Sequence, residues 1–69
     1  MQRMSRPPVI TYDQAVAVFE KPVRLAEALG VSRASVAEWK EKGLLPPGRC
    51  WQLIALRPDA FAKQAEQAA

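Results

Sequence analysis

The stretch from Pro22 to Trp39, PVRLAEALGVSRASVAEW, constrains the fold more than any other part of the chain. Leu25, Ala26 and Leu29 recur at the spacing of one helix face. Pro22 suits the first turn of that helix, where its missing N–H is not needed. Gly30 follows at the point where a left-handed residue closes a helix at least cost. Ser32 is then a side-chain cap for a second helix, on which Val36 and Trp39 point inward with Ser35 flanking them. Two helices joined by so short a turn must cross steeply. Ala26 faces that crossing, where a larger side chain would push the pair apart, and Val31 plugs the crevice after the turn. Leu25, Ala26, Leu29, Gly30, Val31, Val36 and Trp39 are therefore the expected core of a helix-turn-helix motif.

The flanking segments read as helices too. Thr11 and Gln14 form a capping-box pattern, and Asp13 lies in the first turn, where the helix dipole favours an anion. Tyr12, Ala15, Val16 and Phe19 share one face, which Val18 extends, and this first helix is expected to end near Glu20. Gly43 is placed to stop the third helix, with Leu44 packing back on its last turn. Leu44 to Gly48 forms a linker stiffened by two prolines. A fourth helix is expected from about Pro47 to Leu56, with Cys50, Trp51, Leu53 and Ile54 as its apolar side. Pro58 breaks it, and an Ala-rich helix anchored by Phe61 is expected over Asp59 to Gln67. Residues 1–8 carry two arginines and adjacent prolines and read as a flexible arm, leaving 9–67 as the folded domain. No convincing period-2 alternation appears, so the expected class is all-α with five helices.

A chain of 69 residues makes a single domain, and one of this size buries only ~60% of its unfolded surface. A deep catalytic cleft is hard to build from so little material. The chain has no histidine and one cysteine, so neither a Cys/His metal set nor an internal disulfide is expected. Cys50 reads as a small core residue. Trp39 and Trp51 read as core rather than as stacking platforms, because aromatics that stack on single strands are usually interleaved with basic residues. No paired carboxylates or glycine-rich phosphate loop stand out. No enzyme, cofactor or small-molecule substrate is expected. The basic first residues have no apolar run behind them, and no stretch approaches the ~18 apolar residues of a membrane span. The expected location is cytoplasmic. A net charge of +3 and a pI near 9.5 mildly favour an anionic partner.

With Val36 and Trp39 inward, Arg33, Ala34, Ala37, Glu38 and Glu41 face solvent. Two alanines in the middle make a low-profile helix face that fits a DNA major groove about 12 Å wide. Arg33, in the first turn, has the geometry to bond guanine O6 and N7. Ala34 or Ala37 suits a thymine methyl, and Glu38 suits a cytosine amino group. Ser32 serves as cap and contact together. The phosphate candidates are Lys40, and as weaker ones Lys42, Arg24, Lys21 and Arg49. Each has a plainer reading. The alanines are good helix formers, Glu38 and Lys42 form an i, i+4 surface pair, and any of Lys42, Arg24, Lys21 and Arg49 is equally a solvated charge.

The run LAEALGVSRASVAEWKEKGLLP resembles the small phage Cro repressors, in particular the all-helical kind found in lambdoid phages and related prophages. The resemblance is carried by Ala26, Ala28, Leu29, Gly30, Val31 and Ser32, then Val36, then Trp39-Lys40-Glu41, and it covers roughly residues 9 to 57. It implies a lambda-repressor-like domain that binds a palindromic double-stranded DNA operator as a dimer and represses transcription. Recognition residues carry over onto Ser32, Arg33, Ala34, Ala37 and Glu38, with phosphate support from Lys40. Two positions depart from the family pattern. Glu20 stands where relatives often have glycine, and Pro22 stands where glutamine is common, so that Lys21 becomes the substitute phosphate anchor there. A weak homodimer, or one formed only on DNA, is expected to pair through the Gly43–Pro47 linker, the fourth helix and the tail. Two alternatives remain. EKGLLPPGR resembles the stretch after the motif in MerR-like activators, which need a wing and a long dimerisation helix that 69 residues leave no room for. A protein-binding module, such as an antitoxin or a phage-encoded inhibitor, would use the third helix as a protein contact, where a larger apolar patch is usual.

Overall fold

A reciprocal cap starts the first helix. In the computed structural model, which describes residues 7–68, α1 spans Tyr12–Phe19. The Thr11 hydroxyl accepts from the Gln14 N–H at 3.1 Å, and the Gln14 side-chain oxygen accepts from the Thr11 N–H at 3.0 Å. Two donors that a helix start leaves free are satisfied in this way.

Glu20 closes α1 with φ 74° and ψ −32°, its N–H donating to the Val16 carbonyl at 2.6 Å. It is the positive-φ residue other than glycine among the described residues. Such a conformation costs of order 1–3 kcal/mol in a residue with a Cβ, whereas glycine adopts it freely and instead loses more backbone entropy on folding. Glu20→Gly is therefore expected to stabilise the domain by about 0.5–1 kcal/mol in thermal or urea unfolding. A lower melting temperature would show that the Glu20 side chain contributes more than the strain removes.

The next two helices follow the local signals closely. α2 spans Pro22–Leu29 and α3 spans Arg33–Lys42. Gly30 lies between them with φ 71°; the Val31 N–H donates to the Ala26 carbonyl at 3.0 Å and the Gly30 N–H to the Glu27 carbonyl at 3.3 Å. This pair of bonds is a Schellman closure, and it leaves Val31 half-buried against the core. A Cβ at Gly30 would meet open space, so what the position demands is its backbone conformation. The Ser32 hydroxyl accepts from the Ser35 N–H at 3.2 Å and caps α3. Gly43, at φ 81°, ends it by donating to the Trp39 carbonyl at 2.7 Å.

A short antiparallel bridge ties the entrance of α1 to the exit of α3. The Tyr12 N–H donates to the Gly43 carbonyl at 2.9 Å, and the Leu45 N–H to the Ile10 carbonyl at 3.1 Å, around the Thr11–Leu44 pair. Alternation along extended chain then decides which side chains enter the core. Ile10 and Leu45 are buried, while Val9 and Leu44 face out. Leu44, expected to pack back on α3, is instead 49% exposed, and Leu45 takes the inward place. Cys50 lies under the bridge and is fully buried, its thiol donating to the Leu45 carbonyl at 3.6 Å. Burial pushes that thiol's pKa up, with the Ile10 backbone pulling the other way.

α4 spans Pro47–Leu56, and α5 spans Ala62–Ala68. Trp51 is a correction to the expected core. Cys50 and Leu53 are buried and Ile54 is partly so, but Trp51 is 47% exposed. One residue beyond Cys50 is a 100° step around the helix, which carries the indole off the inner face. The final helix also starts later than expected. Pro58 to Phe61 form turns, and Phe61 is buried ahead of α5. At the other end, Pro8 of the expected arm is buried and Val9 exposed, so Pro8 belongs to the packed domain; residues 1–6 of the expected arm lie outside the described residues.

α2 packs against α1, α3 and α4, and α5 packs against α4. The core is wholly apolar, built from Ile10, Ala15, Leu25, Ala26, Leu29 and Val36 with Trp39, Leu45, Cys50, Leu53 and Phe61. Gln52 braces it from the side, donating to the Leu29 carbonyl at 3.2 Å while accepting from the Arg49 guanidinium at 2.7 Å. The Arg57 guanidinium lies 5.2 Å from the centre of the Phe19 ring and joins the ends of α4 and α1. Among the described residues the fold is all-helical apart from the Thr11–Leu44 bridge. No helix among the described residues is long and apolar enough to cross a membrane.

Candidate nucleic-acid interface

Burial of Val36 and Trp39 sets the rotation of α3 about its own axis. Ser32, Arg33, Ala34, Ala37, Glu38, Lys40 and Glu41 are consequently all exposed. Each large buried side chain contributes roughly 1.5–3 kcal/mol, which is enough to hold so short a helix in one orientation.

The exposed surface of α3 is divided by charge. Arg33, Ala37 and Lys40 border a groove of about 340 Å³ whose other wall is Pro22 and Val23 of α2 and Tyr12 of α1. Ala34, Ser35, Glu38 and Glu41 line a more open depression on the opposite flank, with Ala37 on the border between the two. Cations thus face the start of α2, and carboxylates face away from it. Helical spacing alone makes the arc one surface. The division appears once α2 is seen to flank only one side.

The individual candidates fall into different settings. The Ser32 oxygen is engaged as the α3 cap and lies 3.3 Å from the Ser35 hydroxyl. Lys42 pairs with Glu38 at 3.9 Å, with both side chains well exposed, so the pair is worth at most a few tenths of a kcal/mol. Lys21 is exposed, and its carbonyl accepts the Arg24 and Leu25 N–H groups at 3.1 and 3.2 Å, while its side chain makes no cap bond. Arg24 does not join Arg33 and Lys40. It lines a separate groove with Glu20, Glu27 and Arg57 on another side of α2. Arg49 is held by Gln52, so its guanidinium acts as part of the brace between α4 and α2.

Tyr12 and Val23 stand beside Arg33 and Lys40, and the sequence reading assigned neither of them to this surface. Tyr12 was placed on the core stripe of α1, and it is half-buried there. Its place beside α3 follows from the bridge to Gly43, a contact between segments 31 positions apart (43 − 12), which no local pattern announces. Among the described residues there is no cluster of three or more His, Cys, Asp or Glu side chains placed to hold a metal ion. The arrangement offers a convex helix with small side chains at its middle, a guanidinium at its tip, and a cationic groove along one flank. No family model matches the chain, and neither a curated protein nor a solved structure matches it.

Proposed function

We propose that the protein is a sequence-specific double-stranded DNA-binding repressor of the Cro type, with α2, the Gly30 turn and α3 acting as a helix-turn-helix. The observation that carries this reading is the outward arc of α3, with Ala34 and Ala37 at its middle, Arg33 in its first turn and Lys40 on the flank that faces α2. A helix with such a face enters the major groove without steric conflict. Arg33 then reaches a guanine edge, Ala34 and Ala37 meet thymine methyls, and Glu38 accepts from a cytosine amino group. Ser32 approaches the DNA at the helix start, and Lys40 meets the backbone, supported by Lys21. Arg24 and Lys42 contribute less, the first because it faces another groove and the second because it already pairs with Glu38.

A single recognition helix reads only a few base pairs. Two copies on half-sites about 34–36 Å apart supply the remaining specificity. Leu44, Trp51 and Leu56 expose apolar surface on the linker and α4, where a pairing contact would form. This pairing is weak in free protein and completed on the operator.

Titration of a random-sequence duplex at several salt concentrations tests DNA binding itself. Affinity should fall steeply with salt, because each phosphate neutralised releases condensed counterions. Lys40→Ala is expected to weaken binding to every duplex and to reduce the salt slope by about one unit. An unchanged slope would remove Lys40 from the backbone contacts. No binding even at low salt would refute the proposal and favour a protein-binding module that uses the same helix.

A further inference from the structure

We infer that Tyr12 is a further contact to the DNA backbone, its hydroxyl donating to the phosphate drawn in by Lys40. The inference rests on the DNA-binding reading above and extends it to a residue outside the two motif helices.

Three observations converge on Tyr12. Its position is set by backbone bonding. The Tyr12 N–H donates to the Gly43 carbonyl at 2.9 Å, which fixes the start of α1 within one turn of Lys40 on α3. Its side chain is also divided in character. The ring is half-buried and packs against the core, yet the hydroxyl makes no hydrogen bond among the described residues. Phenylalanine would pack as well in that setting, so the hydroxyl is free for an outside partner.

The groove itself is the third observation. Its side chains supply two cations, Arg33 and Lys40, and no carboxylate, while Glu38 and Glu41 stand on the far flank of α3. An anion is therefore drawn to this side of the helix. Pro22 and Val23 form an apolar wall suited to a deoxyribose and offer no side-chain donor. Tyr12 is the neutral side-chain donor among the lining residues, and a phosphate oxygen that meets Lys40 has acceptor capacity left for a phenol O–H. The tyrosine sets how deeply the backbone rides beside α3, and so aligns Arg33 with the base edges.

Tyr12→Phe tests this directly, because it deletes the hydroxyl and keeps the ring. The full chain and its Tyr12→Phe and Lys40→Ala variants are titrated with one random-sequence duplex and one selected duplex over a range of salt. Tyr12→Phe is expected to weaken both complexes about tenfold with the melting temperature unchanged. Its salt slope should match the wild type, since a neutral donor releases no counterion, whereas that of Lys40→Ala should drop. Wild-type affinity in Tyr12→Phe would overturn the inference and leave the DNA-binding reading intact. A fall in melting temperature would overturn it by showing a structural hydroxyl. A loss confined to the selected duplex would overturn it by showing a base contact. Failure of the unmodified protein to bind either duplex would instead remove the DNA-binding reading, and this inference with it.

Discussion

Trp39→Ala is expected to lower the unfolding free energy by about 3–5 kcal/mol, the usual cost of emptying a large aromatic site in a core. Domains are stabilised by roughly 0.05–0.15 kcal/mol per residue, about 3.5–10 kcal/mol for a chain of 69 residues, so this change removes a large share of the stability and unfolds the domain if it sits at the low end of that range. The physical reason is position. Trp39 is buried at the end of α3, and the Gly43 cap that closes the helix bonds to its carbonyl. Losing the indole removes the contact that sets the rotation of α3, and the Arg33–Lys40 flank with it. Trp51→Ala is the matching control. Trp51 is about half exposed, and truncating it should change stability by no more than about 0.5 kcal/mol, as for an ordinary surface site. Circular-dichroism melts of the two variants decide the matter. Equal losses from both would contradict the core assignment.

Arg33→Ala is expected to weaken binding to the preferred DNA sequence by about 1–3 kcal/mol, roughly five- to 150-fold, and to relax base preference at one position of each half-site. Its melting temperature should stay at the wild-type value, because Arg33 is exposed and makes no ion pair among the described residues. Competition titrations against a set of single-base variants supply the test. A uniform loss on all sequences would reassign Arg33 to the phosphates and move base reading to Ala34, Ala37 and Glu38.

Helix ends were the most legible part of this chain, because their causes are local. Thr11 with Gln14, Pro22, Gly30, Ser32, Gly43 and Pro47 each act through bonds or dihedral limits within a few residues, and each stands where it was expected. The inward set of the α2–α3 pair was legible for a related reason, since helical spacing alone separates Val36 and Trp39 from the exposed arc. Side-chain destinations outside helix interiors were not. Whether Leu44 or Leu45 turns inward depends on the bond from Leu45 to Ile10, a segment more than thirty positions earlier (45 − 10 = 35). Trp51 looked like core because it sits among apolar neighbours, but its fate was set by how α4 rolls against α2. Asp59 could have started a helix by composition, yet Phe61 has to reach the core first, and a turn delivers it there.

At the candidate interface the same division holds. The membership of the exposed arc could be read from periodicity, whereas its charge asymmetry could not, because that depends on which flank α2 covers. Arg24 and Arg49 show how little a basic residue's position in the sequence says about its partner. One faces a groove away from α3, and the other is tied down by Gln52. Glu20 was visible as a departure from the pattern of the resembled family, and its positive φ supplies the physical reason a glycine would be favoured there.

The most direct test of the account is selection of binding sites from random duplex DNA at moderate salt. A palindrome should be recovered whose half-sites lie about 34–36 Å apart, one helical turn of DNA, with a guanine in each half-site that Arg33→Ala no longer selects. Enrichment of no sequence would contradict it, and would leave α3 as a surface for a protein partner.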